Sequence, residues 1–393
     1  MMAPESPLIA VRDNDLASRI AYRNRYFDNP EGFFDRILAK TVVPYQVEVQ
    51  PGRLRGRALC WMECPYCYGG SSENTGERLT PERYVDVLRQ TAAGPHGGVH
   101  KIIFAGYATD PLNYEHIDDL VATSLAGNQI VGFHTKLLRV SDRFISLLAS
   151  PSVPESSYVT VSVDAGSAET YNKVHNIDST KDIYSRILEN LRRLAASRRA
   201  SNARFDVTAN YLVTRVNATP QLVEKAIRDI SDAGAQVVRF SFPQLPRGMD
   251  AEGDSIIPTR AEIQHFYATL KPVIDAHQGG ATKVMILDVE GDLHIEERRT
   301  LPCFARYLYP TIAYDGYLSN CSQSAAPHFR GLALGNLATR DFWDAFYDYD
   351  TAHFGAFLER QHAKMNASDC RCDRKEHTVN LQLRDAAKQR FAI

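Results

Sequence analysis

The chain has 393 residues, of which 44% are hydrophobic and 23% charged; this is the make-up of a globular protein long enough for one large α/β domain with a smaller module, or for two domains. Lysine plus arginine number 45 against 47 aspartate plus glutamate, a balance that argues against a general binder of nucleic acid or of anionic membranes. No stretch reaches the length of a membrane span, and the opening MMAPESP has neither the basic nor the apolar region of a signal peptide, so a cytoplasmic location is expected.

Residues 1–42 read as a polar, partly helical lead-in, with aromatic residues between Ala17 and Leu38. From there β-rich runs alternate with helical patterns. Strands are expected over Val42–Val49, Lys101–Ala105, Gln129–His134, Tyr158–Asp164, Asp206–Thr214 and Gln236–Phe242. Helices are expected over Pro81–Thr91 (with Thr80 as N-cap), Glu115–Leu125, Ser141–Leu148, Ile183–Ser197 and Pro220–Ala233. Strands separated by helices imply right-handed crossovers and a parallel sheet. Six such units fit a partial, open TIM-like (β/α)6 barrel better than a closed eight-fold one, and ligands of such sheets sit at the C-terminal ends of the strands. The rhythm weakens after Pro246-Arg247-Gly248. The expected division is therefore a lead-in over 1–42, a core over 43–248 and a small C-terminal module over 249–393, metal-stapled and poor in long periodic elements.

The seven cysteines fall at 60, 64 and 67, at 303 and 321, and at 370 and 372. An odd count in this grouping is a poor disulfide framework and reads instead as metal ligation, three plus four. Cys60-x3-Cys64-x2-Cys67 places three thiolates on a short loop after the first strand. Three thiolates can bind three irons of a [4Fe–4S] cube and leave the fourth open. A structural zinc site would need a fourth ligand, normally from a second cysteine pair, and a redox Cys-x-x-Cys would leave Cys60 unexplained.

This spacing, with aromatic Tyr66 just before the last cysteine, resembles the signature of the radical S-adenosylmethionine (SAM) superfamily. The resemblance implies that SAM chelates the open iron and is cleaved reductively to a 5′-deoxyadenosyl radical. It extends over about Tyr45 to Phe242. Gly106 and Tyr107, with Asp110-Pro111-Leu112, look like the family's Gly-Gly-Glu-Pro-like turn with an insertion. Lys136, after the third strand, is placed to meet the SAM carboxylate or a substrate anion. Val161 to Ala165, continuing through Glu169 to Val174, looks like a stretch of SPASM/twitch-type members. Ser162 and Asp164, two apart on a strand, would share one face there and contact SAM. Asn210 is a candidate for a ribose hydroxyl, and Arg239 for an anionic group. No catalytic acid, base or hydrogen donor is named by the sequence.

Cys303-x12-Gly316-x4-Cys321 resembles the opening half of SPASM and twitch modules, with Tyr314-Asp315-Gly316-Tyr317 as a hairpin turn of type I′. Leu334 to Leu337 and Phe342 to Phe346 look like a later segment of the same modules. Cys370 and Cys372 complete four thiols, enough for one auxiliary [4Fe–4S] cluster, although their Cys-x-Cys spacing is tighter than usual. Four thiolates are also an ordinary zinc site.

Such relatives act on sugars, cyclitols and similar natural-product intermediates, or on ribosomally made peptides. Peptide enzymes often carry a leader-binding domain of roughly 80 residues, longer than the lead-in here, so a small polar metabolite is the expected substrate and oxidation, epimerisation or decarboxylation the expected outcome. An electron donor such as flavodoxin or ferredoxin is implied. A non-catalytic metal-stapled scaffold is the remaining alternative.

Overall fold

The computed structural model describes residues 29–52, 60, 62, 64–67, 78–107, 109–178, 180–243, 255–287 and 302–393. The chain divides into two compact units. One lies within Gln50–Arg78 and Ile103–Leu293, the other within Met1–Val49, Leu79–Ile102 and His294–Ile393.

The first of these units is built on parallel strands β3 (Ile130–Thr135), β4 (Tyr158–Ser162), β5 (Asp206–Leu212), β6 (Val237–Ser241) and β7 (Lys283–Ile286), paired in that order. Helices α4 (Asp142–Leu148), α5 (Ala168–His175), α6 (Ile183–Ala200), α7 (Pro220–Asp232) and α8 (Arg260–Ala276) connect them, and α3 (Ile117–Ala126) precedes β3. This is the mixed α/β fold with a parallel sheet of a partial TIM-like barrel. Local chemistry places the helix starts. Ser141, Ser167, Asp182, Thr219 and Thr259 each accept a hydrogen bond from a backbone N–H of the first turn, which satisfies a donor the helix itself leaves unpaired. Along β5, Val207, Ala209 and Tyr211 are buried while Thr208, Asn210 and Leu212 are half-buried. The strand therefore presents one apolar face and one partly polar face.

In the other unit, α1 (Pro30–Leu38) buries Phe33, Phe34 and Ile37. Strand β1 (Gln46–Val49) lies parallel to β8 (Thr311–Ile312), and β8, β9 (Tyr317–Ser319) and β10 (Gly335–Asn336) run antiparallel. Helix α2 (Pro81–Ala92) starts at Thr80, whose side chain accepts from Arg83 N–H as expected. Helices α9 (Phe342–Phe346), α10 (Phe354–Ala367) and α11 (Arg374–Phe391) complete it. Trp343 Nε1 donates to the Gln90 carbonyl at 2.7 Å and so ties α9 to α2. Strand β2 (Lys101–Phe104) carries the chain from this unit's span into the other's.

Several expectations need correction. β1 begins at Gln46, not Val42, in keeping with Pro44, which has no N–H to give a ladder. β4 ends at Ser162 because Asp164 takes a left-handed φ of 53°. A seventh parallel strand, β7, follows the six counted from sequence. The C-terminal region is not poor in long elements: α10 has 14 residues and α11 has 18. The apolar stripe of α11 is narrow, Val379, Leu383 and Ala387 at four-residue spacing, which hides its periodicity. The 314–317 turn is not type I′, since Gly316 has φ 83° but Asp315 stays at negative φ. The Gly316 N–H donates to the Ala313 carbonyl, and Ala313 N–H to the Tyr317 carbonyl, giving a three-residue loop with glycine in the left-handed position.

Phe34 is fully buried between Phe304 and Phe391, with ring centroids 5.4 and 5.2 Å away. Phe34→Ala is expected to destabilise this unit by about 3–5 kcal/mol, measured by denaturant unfolding; a change below about 1 kcal/mol would mean that α1 is not part of its core.

Candidate active site

Three thiols of the β3–β7 unit lie close enough to act on one another. Cys60, Cys64 and Cys67 are each half-buried, and the Cys67 N–H donates to the Cys64 carbonyl at 3.0 Å, which closes a turn between them. Burial pushes the Cys64 thiol up to about 11; Lys136 opposes this, while Cys67, Cys60 and Asp164 add to it. Cys60 is raised as well, first by burial, against the Met62 N–H and Lys136. Without a metal Cys60 and Cys64 are protonated thiols. Residues 61, 63 and 68–70 lie outside the described residues.

The turn after β2 and the end of β3 are locked together by one carboxylate. Asp110 accepts from the Leu112 N–H at 2.9 Å, from Thr135 Oγ1 at 2.8 and 2.9 Å, and from the Lys136 N–H at 2.6 Å. At Gly106 a Cβ would overlap the Thr109 carbonyl oxygen, so this close backbone approach admits only glycine. Tyr107 beside it is buried.

Asp164, just past β4, is buried and has its side chain turned back by the left-handed backbone. Oδ1 accepts from the Leu212 N–H at 2.8 Å. Oδ2 faces His175 Nε2 at 3.4 Å and Lys136 Nζ at 3.6 Å. Burial alone would raise the Asp164 carboxyl, but His175, Lys136 and the Leu212 N–H hold it below its usual value. Lys136 is also stabilised as a cation: burial would lower it, and Tyr171, Asp164 and the Cys64 and Cys60 thiols outweigh that. Its ammonium lies 5.9 Å from the Tyr171 ring centroid.

His175, the last residue of α5, was missed by the sequence analysis and joins these groups. It is fully buried and pushed down to about 4 by burial and by Lys136, so at neutral pH the ring is uncharged. With its single proton on Nε2 toward Asp164, Nδ1 is an acceptor. Tyr66 Oη at 2.9 Å, Cys64 Sγ at 3.1 Å and Lys136 Nζ at 3.4 Å all face that atom. Three donors converge on one lone pair, so Cys64 can give its proton up to a metal without leaving Nδ1 unsatisfied. In that respect the residues fit a cluster bound through Cys60, Cys64 and Cys67.

Further along the sheet, Ser162, Asn210 and Arg239 are register partners on β4, β5 and β6. Arg239 Nε donates to Asn210 Oδ1 at 3.1 Å, and Ser241 Oγ to the same oxygen at 3.4 Å. Ser162 and Asp164 do not share a strand face, since Asp164 lies beyond the strand end. The four remaining thiols belong to the other unit: Cys303, Cys321 and Cys370 are buried and Cys372 half-buried. Burial raises the Cys321 thiol, with Glu376, Cys370, Cys303 and Cys372 as further causes. As placed, no three or more His, Cys, Asp or Glu side chains among the described residues form a group that could hold a metal ion; a [4Fe–4S] cube differs in taking each thiolate on a separate iron.

His175→Ala would strip Asp164 Oδ2 and the Tyr66 hydroxyl of a buried partner. It is expected to destabilise the protein by roughly 1–3 kcal/mol, and His175→Gln by less, read from denaturant unfolding. Equal stability of all three proteins would remove His175 from the network.

No curated protein matches the chain. Solved structures of SuiB from Streptococcus suis share its fold. The SAM-bound form has a TM-score of 0.55 at 13% identity, covering 78% of this chain and 66% of that one. A second SuiB structure gives 0.54 at 12%, covering 85% and 72%, and SuiB bound to precursor peptide SuiA gives 0.55 at 11%, covering 81% and 68%. The chain thus spans about two thirds of the SuiB chain it matches first. Residues 58–217, which hold the three grouped cysteines, Asp110, Lys136, Asp164 and His175, match the Radical SAM superfamily. These residues form a radical SAM domain.

Proposed function

We propose that this enzyme is a maturase that modifies a ribosomally made peptide by radical chemistry. The observation that carries this reading is the shared fold with SuiB over 78–85% of the chain, including SuiB with a precursor peptide bound. The same comparison corrects the expectation of a small polar metabolite. That expectation rested on the length of the lead-in. Lead-in length bears on how a leader is recognised, not on whether a peptide is the substrate, and residues 1–28 lie outside the described ones.

In this reading Cys60, Cys64 and Cys67 hold the cluster and leave one iron to SAM. The bound cluster supplies the electron that breaks a carbon–sulfur bond of SAM. The chain's own residues bind and orient. Lys136, kept cationic by Tyr171 and Asp164, would meet the SAM carboxylate. The Gly106–Tyr107 backbone lies in the turn expected at the SAM amino group. Ser162, Asn210 and Arg239 offer a polar row across three strands for the ribose and for substrate. Tyr66 and His175 fix the loop at Cys64. Cys303, Cys321, Cys370 and Cys372 form an auxiliary [4Fe–4S] centre of the SPASM/twitch kind; α8 and β7, which a boundary at 248 would assign to its module, belong instead to the unit of the parallel sheet. An electron donor of the flavodoxin or ferredoxin type serves it in the cytoplasm. Among the described residues no helix is long and apolar enough to cross a membrane.

The test is to incubate the anaerobically reconstituted enzyme, SAM and dithionite with peptides translated from short reading frames flanking its gene, with SuiA as a foreign control. A mass change in one flanking peptide, and faster SAM cleavage in its presence, are expected. No altered peptide and no stimulation by any of them would overturn the reading.

A further inference from the structure

The groups around Lys136 hold more hydrogen-bond donors than acceptors. His175 Nδ1 has one lone pair, and Tyr66 Oη, Cys64 Sγ and Lys136 Nζ face it at 2.9, 3.1 and 3.4 Å. The carboxylates nearby are already engaged. Asp110 accepts from Leu112, Thr135 and the Lys136 backbone. Asp164 accepts from the Leu212 N–H through Oδ1 and faces His175 and Lys136 through Oδ2.

Tyr171, on α5, adds a donor with no acceptor at all. Its side chain is fully buried, and its hydroxyl has no hydrogen-bond partner. A hydroxyl sealed from water normally has one. The geometry sets this residue beside the cation. The Tyr171 ring packs on the His175 ring, with centroids 4.2 Å apart. The Lys136 ammonium lies 3.4 and 3.5 Å from the two nitrogens of the same imidazole and 5.9 Å from the Tyr171 centroid. Burial pushes the Tyr171 phenol up; of the charges acting on it Lys136 comes first, then Asp164, Cys64 and Asp110, all groups of this site. Of Lys136, Asp164, His175 and Tyr171, it is Lys136 that opens to solvent. Its side chain is 19% exposed, against 3% for Asp164 and none for the two rings. An anion therefore enters at the ammonium, with the Tyr171 ring beside it.

We propose that the Tyr171 hydroxyl is a SAM-binding group, donating a hydrogen bond to the methionyl carboxylate that Lys136 takes by charge. This rests on the reading above in which the domain holds SAM. A carboxylate has two oxygens and about four acceptor positions, enough for both donors, and a hydrogen bond to a charged acceptor is stronger than a neutral one. No described group loses a partner when the hydroxyl is removed, so Tyr171 acts on the ligand and not on the fold.

The experiment compares wild type with Tyr171→Phe, both full-length and anaerobically reconstituted, by calorimetric titration with SAM and with decarboxylated SAM, which lacks the carboxylate. Tyr171→Phe is expected to keep the wild-type iron content and, without SAM, to unfold at the same or a higher denaturant concentration, since it loses a donor that had no partner. Its Kd for SAM is expected to rise about ten-fold or more, while decarboxylated SAM binds both proteins equally. Equal SAM affinity in the two proteins, or an equal loss for SAM and its analogue, would overturn the proposal. So would failure of Tyr171→Phe to fold, which would give the hydroxyl a structural partner instead. A wild type that takes up no iron or does not bind SAM would overturn the SAM reading itself, and this proposal with it, before Tyr171 is touched.

Discussion

A carboxylate sealed inside a protein must be matched, and the site is organised around how Asp164 is matched. Its left-handed backbone turns the side chain back toward the β4–β5 junction, where Leu212 N–H, His175 and Lys136 meet it. Asn217 holds the backbone there, donating to the Asp164 carbonyl at 2.9 Å and accepting from the Thr214 N–H at 2.6 Å. Breaking a buried pair by removing one partner leaves an uncompensated charge. Lys136 therefore stays cationic, His175 stays neutral with its second nitrogen free to accept, and the Cys64 loop is anchored through that nitrogen. A second carboxylate, Asp110, does the same for the turn after β2 and the backbone of Lys136. Two buried acids thus set the positions of the thiol loop, the cation and the glycine turn.

Much of this was legible in the sequence. Alternating strand and helix patterns located β3 to β6, and Thr80 located the start of α2. The cysteine spacing pointed to iron–sulfur chemistry because three thiols without a fourth suit a cube with an open iron. What was illegible was long-range. His175 ends a short helix, where a histidine reads as an ordinary complement to the helix dipole. Its four-residue spacing from Tyr171 was the available signal, since the two rings lie 4.2 Å apart on one face. Glu376 sits in the charged run Asp373 to His377, which reads as solvated surface until the fold buries it. The 314–317 turn type depends on which residues pair across it, and Asp-Gly alone does not fix that pairing.

The two groups of thiols belong to different units of the chain and differ in character. The first is half-buried, on a short loop, beside a cation and a neutral imidazole, as suits a centre that must meet a diffusible cofactor. The second is largely buried, with one thiol engaged by Asn380 and a desolvated carboxylate among its neighbours. Burial and sulfur hydrogen bonding thus differ between the two groups.

The most direct test of the account is SAM cleavage by the anaerobically reconstituted protein, compared with the variant in which Cys60, Cys64 and Cys67 are all Ala. 5′-Deoxyadenosine formed on reduction by the wild type, and not by the variant, is the predicted result. Zinc in place of iron with no cleavage, or cleavage that survives loss of the three thiols, would contradict it.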